Sequence, residues 1–260
     1  MSTLSLAWHD SSTMLRRNLR HATRNPSTLL GSVVMPCVLM LLFVFAFGGT
    51  MGNGLGGAAQ GIDYVDYLAP GIFLLALTVG AMGTSIAVAV DMTKGIINRF
   101  KVMDVPRGAV LTGHVIASVL TNLIAVAAII GVAFALGFDP SASFGQWLGV
   151  IGLVVLLGLA TGWLTVALGL FAKTPETAGL ASVPLVMLPF FSSAIVPADK
   201  MGPGVKQFAQ YQPFTPIIES LRGLLNGAPH TGDMIAAFAW CLGIAVVGYV
   251  WATSTFKKRA

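Results

Sequence analysis

The sequence predicts an all-α protein that spans a membrane. Of its 260 residues, 55% are hydrophobic and only 10% are charged, whereas a soluble domain usually carries about 25% charged residues. Six apolar stretches approach the roughly 20 residues that a helix needs to cross a bilayer. They lie at about 28–48, 67–90, 109–136, 147–171, 178–196 and 234–255. We expect helices because a helix satisfies its backbone hydrogen bonds internally in lipid, and we treat residues 1–260 as one domain.

The segment before the first stretch, residues 1–26, has the pattern of an amphipathic helix. Trp8 shares one face with Leu4 and Leu15. The opposite face carries four arginines, Arg16, Arg17, Arg20 and Arg24. Apolar residues in the headgroup boundary and arginines near anionic lipid would hold this helix on the inner leaflet. A disordered tail whose arginines only set the orientation is the alternative.

The basic residues predict the orientation. Six spans put both termini on one side, and we place them in the cytoplasm because the inner segments then hold twelve of the fifteen lysines and arginines. These twelve are Arg16, Arg17, Arg20, Arg24, Lys94, Arg99, Lys101, Arg107, Lys173, Lys257, Lys258 and Arg259, and the outer three are Lys200, Lys206 and Arg222. The net charge of +5 therefore reflects topology and does not indicate binding of nucleic acid.

The segment that joins the second and third stretches carries several charged residues, whereas the stretches on either side carry almost none. In a helix, Ile96, Phe100 and Met103 fall on one face, and Lys94 and Lys101 fall on the opposite face. An apolar ridge with basic flanks suits a helix that lies in a groove of another protein. The alternative is an interfacial helix that rests on lipid.

The pattern of ionisable residues argues against several classes of protein. No acidic, basic or histidine residue lies clearly at the middle of a predicted span, which disfavours ion-coupled transport. The chain contains no HExxH, GxSxG or GxxxxGK[ST] motif, so we predict no catalytic residue, no metal site and no ATP site of its own.

The fifth stretch has features that fit a substrate pathway. Pro184 and Pro189 should kink it and free backbone carbonyls. Adaptable and polar side chains lie nearby, namely Met187, Phe190, Phe191, Ser192 and Ser193. Taken singly, each of these residues fits an ordinary kinked core equally well.

Small residues in the fourth stretch predict close helix packing. Gly158 and Gly162 form a GxxxG motif, which allows two helices to approach closely. We favour packing within the bundle over a dimer interface.

Two sequence blocks resemble the permeases of type-2 ABC exporters, especially the daunorubicin-resistance type. The first, DMTKGIINRFKVMDVPRGAVLTGHVIA, resembles the coupling-helix region and includes Lys94 to Ile96, Arg99 to Phe100, and Arg107. The second, FFSSAIVPADKMGPGVKQFAQYQPFTPIIESLRGLLNG, resembles the family signature between the fifth and sixth spans. It is matched here by Ser192, Ser193, Pro197, Gln212, Pro213, Thr215, Pro216, Arg222 and Gly223.

The resemblance implies a transport subunit in the cell membrane, not an enzyme. Two separate ATPase subunits would bind ATP and Mg²⁺, and a second permease copy, favoured as identical, would complete the transporter. Residues 93–106 would be the coupling helix, with Lys94, Ile96, Arg99, Phe100, Met103 and Arg107 as its contact residues. Residues 1–26 would be the connecting helix, in contact with lipid. Residues 203–226 would form a re-entrant helical segment in the outer leaflet.

The predicted function is ATP-driven export of an amphipathic or hydrophobic molecule, such as a drug, an antibiotic or a lipid. A pathway with few charges and many Met, Phe, Ser and Thr side chains suits such molecules. The alternative within transport is a floppase for lipids or glycoconjugates. From a different class, a membrane-embedded regulator is less favoured.

Overall fold

The computed structural model describes residues 26–54, 64–95 and 107–259, and every regular element within these ranges is helical. The eight α-helices described there are α1 (Pro26–Gly54), α2 (Tyr64–Thr93), α3 (Arg107–Ala135), α4 (Phe144–Phe171), α5 (Pro175–Met187), α6 (Val205–Tyr211), α7 (Phe214–Leu225) and α8 (Thr231–Arg259). Two short 3₁₀ helices, Leu188–Phe191 and Ala198–Lys200, lie between α5 and α6. The predicted all-α fold is confirmed. The predicted connecting helix, residues 1–26, lies almost entirely outside the described residues.

Four of the described helices are long and apolar enough to cross a membrane. Their apolar ranges are Tyr64–Thr93, Val110–Ala135, Phe144–Phe171 and Thr231–Lys258. They correspond to the second, third, fourth and sixth stretches predicted from the sequence. The first and fifth stretches correspond to shorter apolar helical ranges, Gly31–Ala46 and Pro175–Phe191. The protein is therefore a multi-pass membrane protein with four candidate spans in the described residues, and six spans stay a prediction.

The fifth predicted stretch, 178–196, differs from a single continuous α-helix. The α-helical part, α5, ends at Met187 and continues only as the 3₁₀ helix Leu188–Phe191. Pro189 ends the α-helical pattern because it has no N–H to donate to the carbonyl four residues earlier and its ring crowds that turn. The hydroxyl of Ser192 donates to the Pro189 carbonyl, which satisfies a backbone acceptor at this end.

α4 packs against five other helices, α2, α3, α5, α7 and α8. It begins with a capping box, in which the Ser143 hydroxyl accepts from the Gln146 N–H and the Gln146 side chain accepts from the Ser143 N–H. Leu157 and Leu170, both fully buried on α4, belong to two separate clusters of the core. α4 therefore joins the two halves of the core.

Glycines allow α4 to approach its neighbours closely. A Cβ atom at Gly158 would lie 3.4 Å from Val119 of α3, and one at Gly162 would lie 3.2 Å from Val115 of the same helix. The GxxxG motif therefore packs within the bundle, as predicted. The contact with α8 is closer, because a Cβ at Gly248 would lie 2.6 Å from the backbone nitrogen of Leu164. Backbone atoms leave no room for a side chain there, so α8 can pack in this position only with glycine.

Replacing Gly248 with alanine is expected to destabilise the bundle by about 1–3 kcal/mol, because the added methyl group would push α8 away from α4. Gly243→Ala is the matched control on α8, since a Cβ at Gly243 meets no atom within 4 Å. Alanine should be neutral or slightly stabilising at that position. Thermal unfolding of both variants in detergent, followed by size-exclusion chromatography, measures the difference. Equal melting temperatures would contradict the close α4–α8 contact.

Candidate functional site

The inner end of the bundle, as oriented by the basic residues, holds part of the predicted coupling region. α2 ends at Thr93 and a turn follows at Lys94 and Gly95, where Gly95 has φ 65°. Lys94 is exposed, and Arg107 is the first residue of α3. The other predicted contact residues, Ile96, Arg99, Phe100 and Met103, lie outside the described residues.

α2 and α3 run antiparallel, and polar pairs join them near this end. The closest pair to the loop is Asp91 and His114, with 3.4 Å between Oδ2 and Nε2 and both side chains largely buried. One step further inside, the Thr84 hydroxyl donates to the Ser118 hydroxyl at 2.8 Å. The two helices that flank residues 96–106 are therefore joined side chain to side chain.

A buried polar side chain, Asn122, lies deeper between the same two helices. The side-chain oxygen of Asn122 on α3 approaches the position where a Cβ would stand on Gly80 of α2. Neither polar atom of this buried amide has a hydrogen-bond partner among the described residues. A buried amide without partners is costly, so Asn122 is a local source of instability between α2 and α3.

At the opposite end of the bundle, Arg222 on α7 holds three parts of the chain together. Its Nη2 donates to the carbonyls of Tyr67 at 3.1 Å and Ser193 at 2.9 Å, and its Nη1 donates to Oε1 of Glu219 at 2.6 Å. The guanidinium also lies over the Tyr67 ring, 3.7 Å from the centroid. We call these four residues the Arg222 clasp. The clasp joins α7 to α2 and to the segment that follows the 3₁₀ helix Leu188–Phe191.

Two further contacts tighten the Arg222 clasp. The Tyr67 hydroxyl donates to the Ser193 carbonyl at 3.0 Å, so that carbonyl accepts from two buried donors. Gly71 on α2 allows the backbone of Ala194 to come close, since a Cβ there would lie within 2.8 Å of Ala194 atoms. Arg222 is only 7% exposed, and its charge is balanced by the adjacent carboxylate of Glu219. Arg222 is thus a buried charge with a neighbouring carboxylate and with hydrogen bonds to two carbonyls, through which it joins α7 to α2 and to the segment after Phe191.

An open apolar groove of about 540 Å³ lies between α5 and α6. One of its lining residues, Phe191, precedes Ser193 of the Arg222 clasp by two positions in the sequence. We call it the α5–α6 groove, and its lining residues are Pro184, Met187, Leu188, Phe191, Gly204, Val205 and Phe208. Phe191 and Phe208 contact each other edge to face, with 6.3 Å between ring centroids. The groove is of a size that binds drug-sized molecules.

The predicted pathway residues are divided between different surroundings. Met187 and Phe191 line the α5–α6 groove and are about half exposed. Phe190 lies beside α1 and α2, where it lines a small cleft with Phe43 and other residues. Ser192 and Ser193 are buried. Contact of these five residues with a substrate stays a prediction.

Sequence reasoning missed the partners that complete these sites. Val205 and Phe208 of the groove and Tyr67 of the Arg222 clasp were not predicted to meet the fifth stretch. Arg222 is the signal that the sequence offered, because an arginine in a largely apolar helix must find acceptors, and only one of them, Glu219, lies nearby in the sequence. Its acceptor residue Tyr67 lies 155 positions earlier, and no local pattern connects the two residues.

The chain is similar to membrane transport proteins over most of its length. A family model described as "ABC-2 type transporter" matches residues 10–226. The chain is 26% identical over 226 residues to "Daunorubicin resistance ABC transporter permease protein DrrB1" of Streptomyces coeruleorubidus, covering 85% of this chain and 77% of the relative. It is 26% identical over 242 residues to "Probable doxorubicin resistance ABC transporter permease protein DrrC" of Mycobacterium tuberculosis, covering 90% of this chain and 84% of that relative. A third relative, "Putative transport permease ycf38" of Pyropia yezoensis, is 25% identical over 243 residues, covering 90% and 81%.

Proposed function

Because the chain belongs to the ABC-2 type transporter family, we propose that it is the permease subunit of an ATP-driven exporter. Permeases of this family are transmembrane subunits, and a separate ATPase subunit hydrolyses ATP. The observation that carries the proposal is the family match over residues 10–226, together with relatives named as permeases for daunorubicin and doxorubicin resistance. The resemblance seen in the sequence and the family match thus agree.

The exported molecule is amphipathic or hydrophobic in this proposal. The α5–α6 groove supports this class because all of its lining residues are apolar. A strongly charged molecule would lose its hydration against such a surface without receiving hydrogen bonds in return. The relatives' names, which refer to drug resistance, point in the same direction.

Coupling to the ATPase subunits is assigned to residues 93–106. The pattern of Ile96, Phe100 and Met103 gives an apolar ridge for a groove of the ATPase. Two ATPase subunits would bind two permease copies in this way. The joined inner ends of α2 and α3, with Asp91 and His114 in contact at 3.4 Å, support transmission of movement from this loop to both helices.

The arrangement in the membrane completes the proposal. The six apolar stretches cross the cell membrane in this proposal, and the distribution of basic residues supports cytoplasmic termini. α6 and α7 form the re-entrant segment of the outer leaflet, which is consistent with the tie between Arg222 and α2. Trp8 and the four arginines of residues 1–26 hold the connecting helix on inner-leaflet lipid. A second, identical permease copy forms the other half of the transporter.

The test is to express the permease with the cassette ATPase that we expect a neighbouring gene to encode, and to measure assembly and transport. The ATPase should co-purify with the permease, and inside-out vesicles containing both should accumulate doxorubicin when ATP is added. The control is the same complex with a hydrolysis-deficient ATPase. Movement of a fluorescent phospholipid without movement of doxorubicin would support the floppase alternative. An ATPase that does not bind the permease would overturn the proposal.

A further inference from the structure

Three buried polar side chains of α3 face α2 at intervals of four residues, which is about one helical turn. They are His114, Ser118 and Asn122. Ser118 contacts Thr84 of α2, and Asn122 approaches Gly80, which lies four residues before Thr84. Both contacts follow one antiparallel register. A displacement of α3 by one turn would therefore move each polar residue to the level that the next one occupies now.

The observed register satisfies Ser118 and leaves Asn122 without a partner. The Thr84 hydroxyl donates to the Ser118 hydroxyl at 2.8 Å, whereas both polar atoms of the buried Asn122 amide have no hydrogen-bond partner among the described residues. A displacement that brings Asn122 to the level of Ser118 would place its amide beside the Thr84 hydroxyl. Ser118 would then donate to the His114 carbonyl in its own helix, as serines inside helices do. The displaced register thus reduces the cost of the unpaired amide.

The contact between Asp91 and His114 is compatible with both registers. The observed register places His114 level with Val88, and Asp91 reaches it from about one turn further along α2. After the displacement, His114 would lie level with Met92, within one residue of Asp91. This contact therefore does not hold α3 in a single position.

The surface that α4 presents to α3 accommodates the same displacement. Methyl groups of Val119 lie at Gly158, and those of Val115 lie at Gly162. The two pairs have the same spacing of four residues. A displacement by one turn would bring Val119 to Gly162, in place of Val115. Gly158 would receive the next apolar side chain, Leu123, so both notches in α4 stay filled.

The helices around α3 are held to one another by closer contacts. A Cβ at Gly248 of α8 would lie 2.6 Å from the Leu164 nitrogen of α4. Displacing α8 by one turn would bring a residue with a side chain to this place, where backbone atoms leave no room for it. α2 also meets α4 through its backbone, because a Cβ at Gly169 would overlap the Ser85 carbonyl oxygen. Among these four helices, α2, α4 and α8 form a frame, and α3 is the one whose contacts permit sliding.

We propose that α3 has two registers in this bundle, the observed one and one displaced by a helical turn, about 6 Å, in which Asn122 bonds to Thr84. One-turn shifts of one element past another are an established form of conformational switch. The displacement moves α3 toward its first residue, Arg107, and so moves residues 96–106, which precede it. The connection between α3 and α4 reaches about 30 Å when extended, so it can follow. This inference goes beyond the proposed function, because it concerns the permease alone, before any ATPase binds.

The test measures distances between pairs of spin labels on the purified permease in nanodiscs, without ATPase. Both cysteines of the chain, Cys37 and Cys241, are first replaced with alanine. Labelled chains are diluted with unlabelled ones, so that only pairs within one chain contribute. One label is placed at Ala135→Cys, on the last residue of α3, and the other at Ser254→Cys, near the end of α8. Trp251 of α8 contacts Phe171 at the far end of α4, so the two labels lie at opposite ends of the bundle.

We expect two distances for this pair, the shorter one by about 6 Å, because α3 slides toward the end of the bundle where α8 ends. The matched control pairs Phe144→Cys, at the start of α4, with Ser254→Cys. Because α4 and α8 both belong to the frame, the control should give one distance. A second distance in the control would overturn the proposal, since the frame itself would then move.

Two variants should shift the populations in opposite directions. Ser118→Ala removes a hydrogen bond between helices that belongs to the observed register only, so the ratio of the shorter distance to the longer should rise about three- to tenfold. Asn122→Leu should lower this ratio, because leucine needs no hydrogen-bond partner and cannot bond to Thr84. A role in packing alone would not produce opposite shifts. A single distance in both the unmodified protein and Ser118→Ala, or an equal ratio in all three proteins, would overturn the proposal.

Discussion

Replacing Arg222 with leucine is expected to destabilise the protein by about 2–4 kcal/mol, because a buried guanidinium loses its hydrogen bonds to two carbonyls, and a hydrogen bond with a charged group contributes about 1.5–3 kcal/mol. Leucine keeps the apolar volume but removes the guanidinium donors to the Tyr67 and Ser193 carbonyls, so the Ser193 carbonyl keeps only the Tyr67 hydroxyl as a side-chain donor. It also leaves the Glu219 carboxylate without its partner at 2.6 Å. The segments that the clasp joins, α2, α7 and the residues after the 3₁₀ helix, should separate at lower temperature. Thermal unfolding in detergent measures the loss.

Two other variants test whether the geometry of Arg222 matters. Arg222→Lys keeps the charge but cannot donate in a fork to several oxygens, so its stability should fall between those of the unmodified protein and Arg222→Leu. Lys206→Leu is the control, because its ion pair with Asp199 is largely exposed and should contribute little. If Arg222→Leu unfolds at the same temperature as Lys206→Leu, the clasp does not stabilise the fold.

Replacing Phe100 with aspartate is expected to abolish export while leaving the permease folded and inserted. Phe100 lies outside the described residues, and the prediction rests on its place in the apolar ridge of the proposed coupling helix. A helix in a protein groove depends on a few buried anchors, and truncation of one typically costs about 2 kcal/mol or more. A charge at this position should release the ATPase subunits. Phe100→Ala should have the same effect to a smaller degree.

The measurement is co-purification of the ATPase with Phe100→Asp permease in nanodiscs, together with ATP-driven transport. Lys94→Ala is the comparison, because Lys94 is exposed and an exposed charge is screened by salt. It should weaken assembly only mildly, and mainly at low ionic strength, where the charge of Lys94 is least screened. Full retention of the ATPase by Phe100→Asp, with normal transport, would show that this segment does not carry the coupling.

The sequence predicts the helices better than it predicts their contacts. Long apolar stretches and scarce charges were enough for the all-α fold, because in lipid the backbone has few other solutions. The end of α5 at Met187 was harder to predict, because hydropathy does not distinguish an α-helix from the 3₁₀ helix Leu188–Phe191 that follows it. The kink expected from Pro189 was the correct signal, but it gives no exact boundary.

The candidate site shows the same limit. The pattern around Met187 and Phe191 indicated a special fifth stretch, yet the other wall of the groove comes from α6. The contact of Arg222 with Tyr67 depends on folding of the whole chain, because these residues are far apart in sequence. The sequence likewise does not indicate that Asp91 and His114 meet, because both residues only lie near the ends of predicted spans. The antiparallel packing of α2 and α3 places Oδ2 of Asp91 3.4 Å from Nε2 of His114. Pairings of this kind need tertiary structure.

The close α4–α8 contact has a consequence for biosynthesis. The ribosome makes α4 well before α8, and residues 172–230 are synthesised between them. Until α8 emerges, the surface of α4 around Leu164 has no partner for the approach that Gly248 later allows. This surface of α4 is thus covered by a helix made much later, so the packing of α4 is complete only after α8 has been synthesised. Chains that stall before α8 would expose this surface, which gives membrane quality control a feature by which to recognise them.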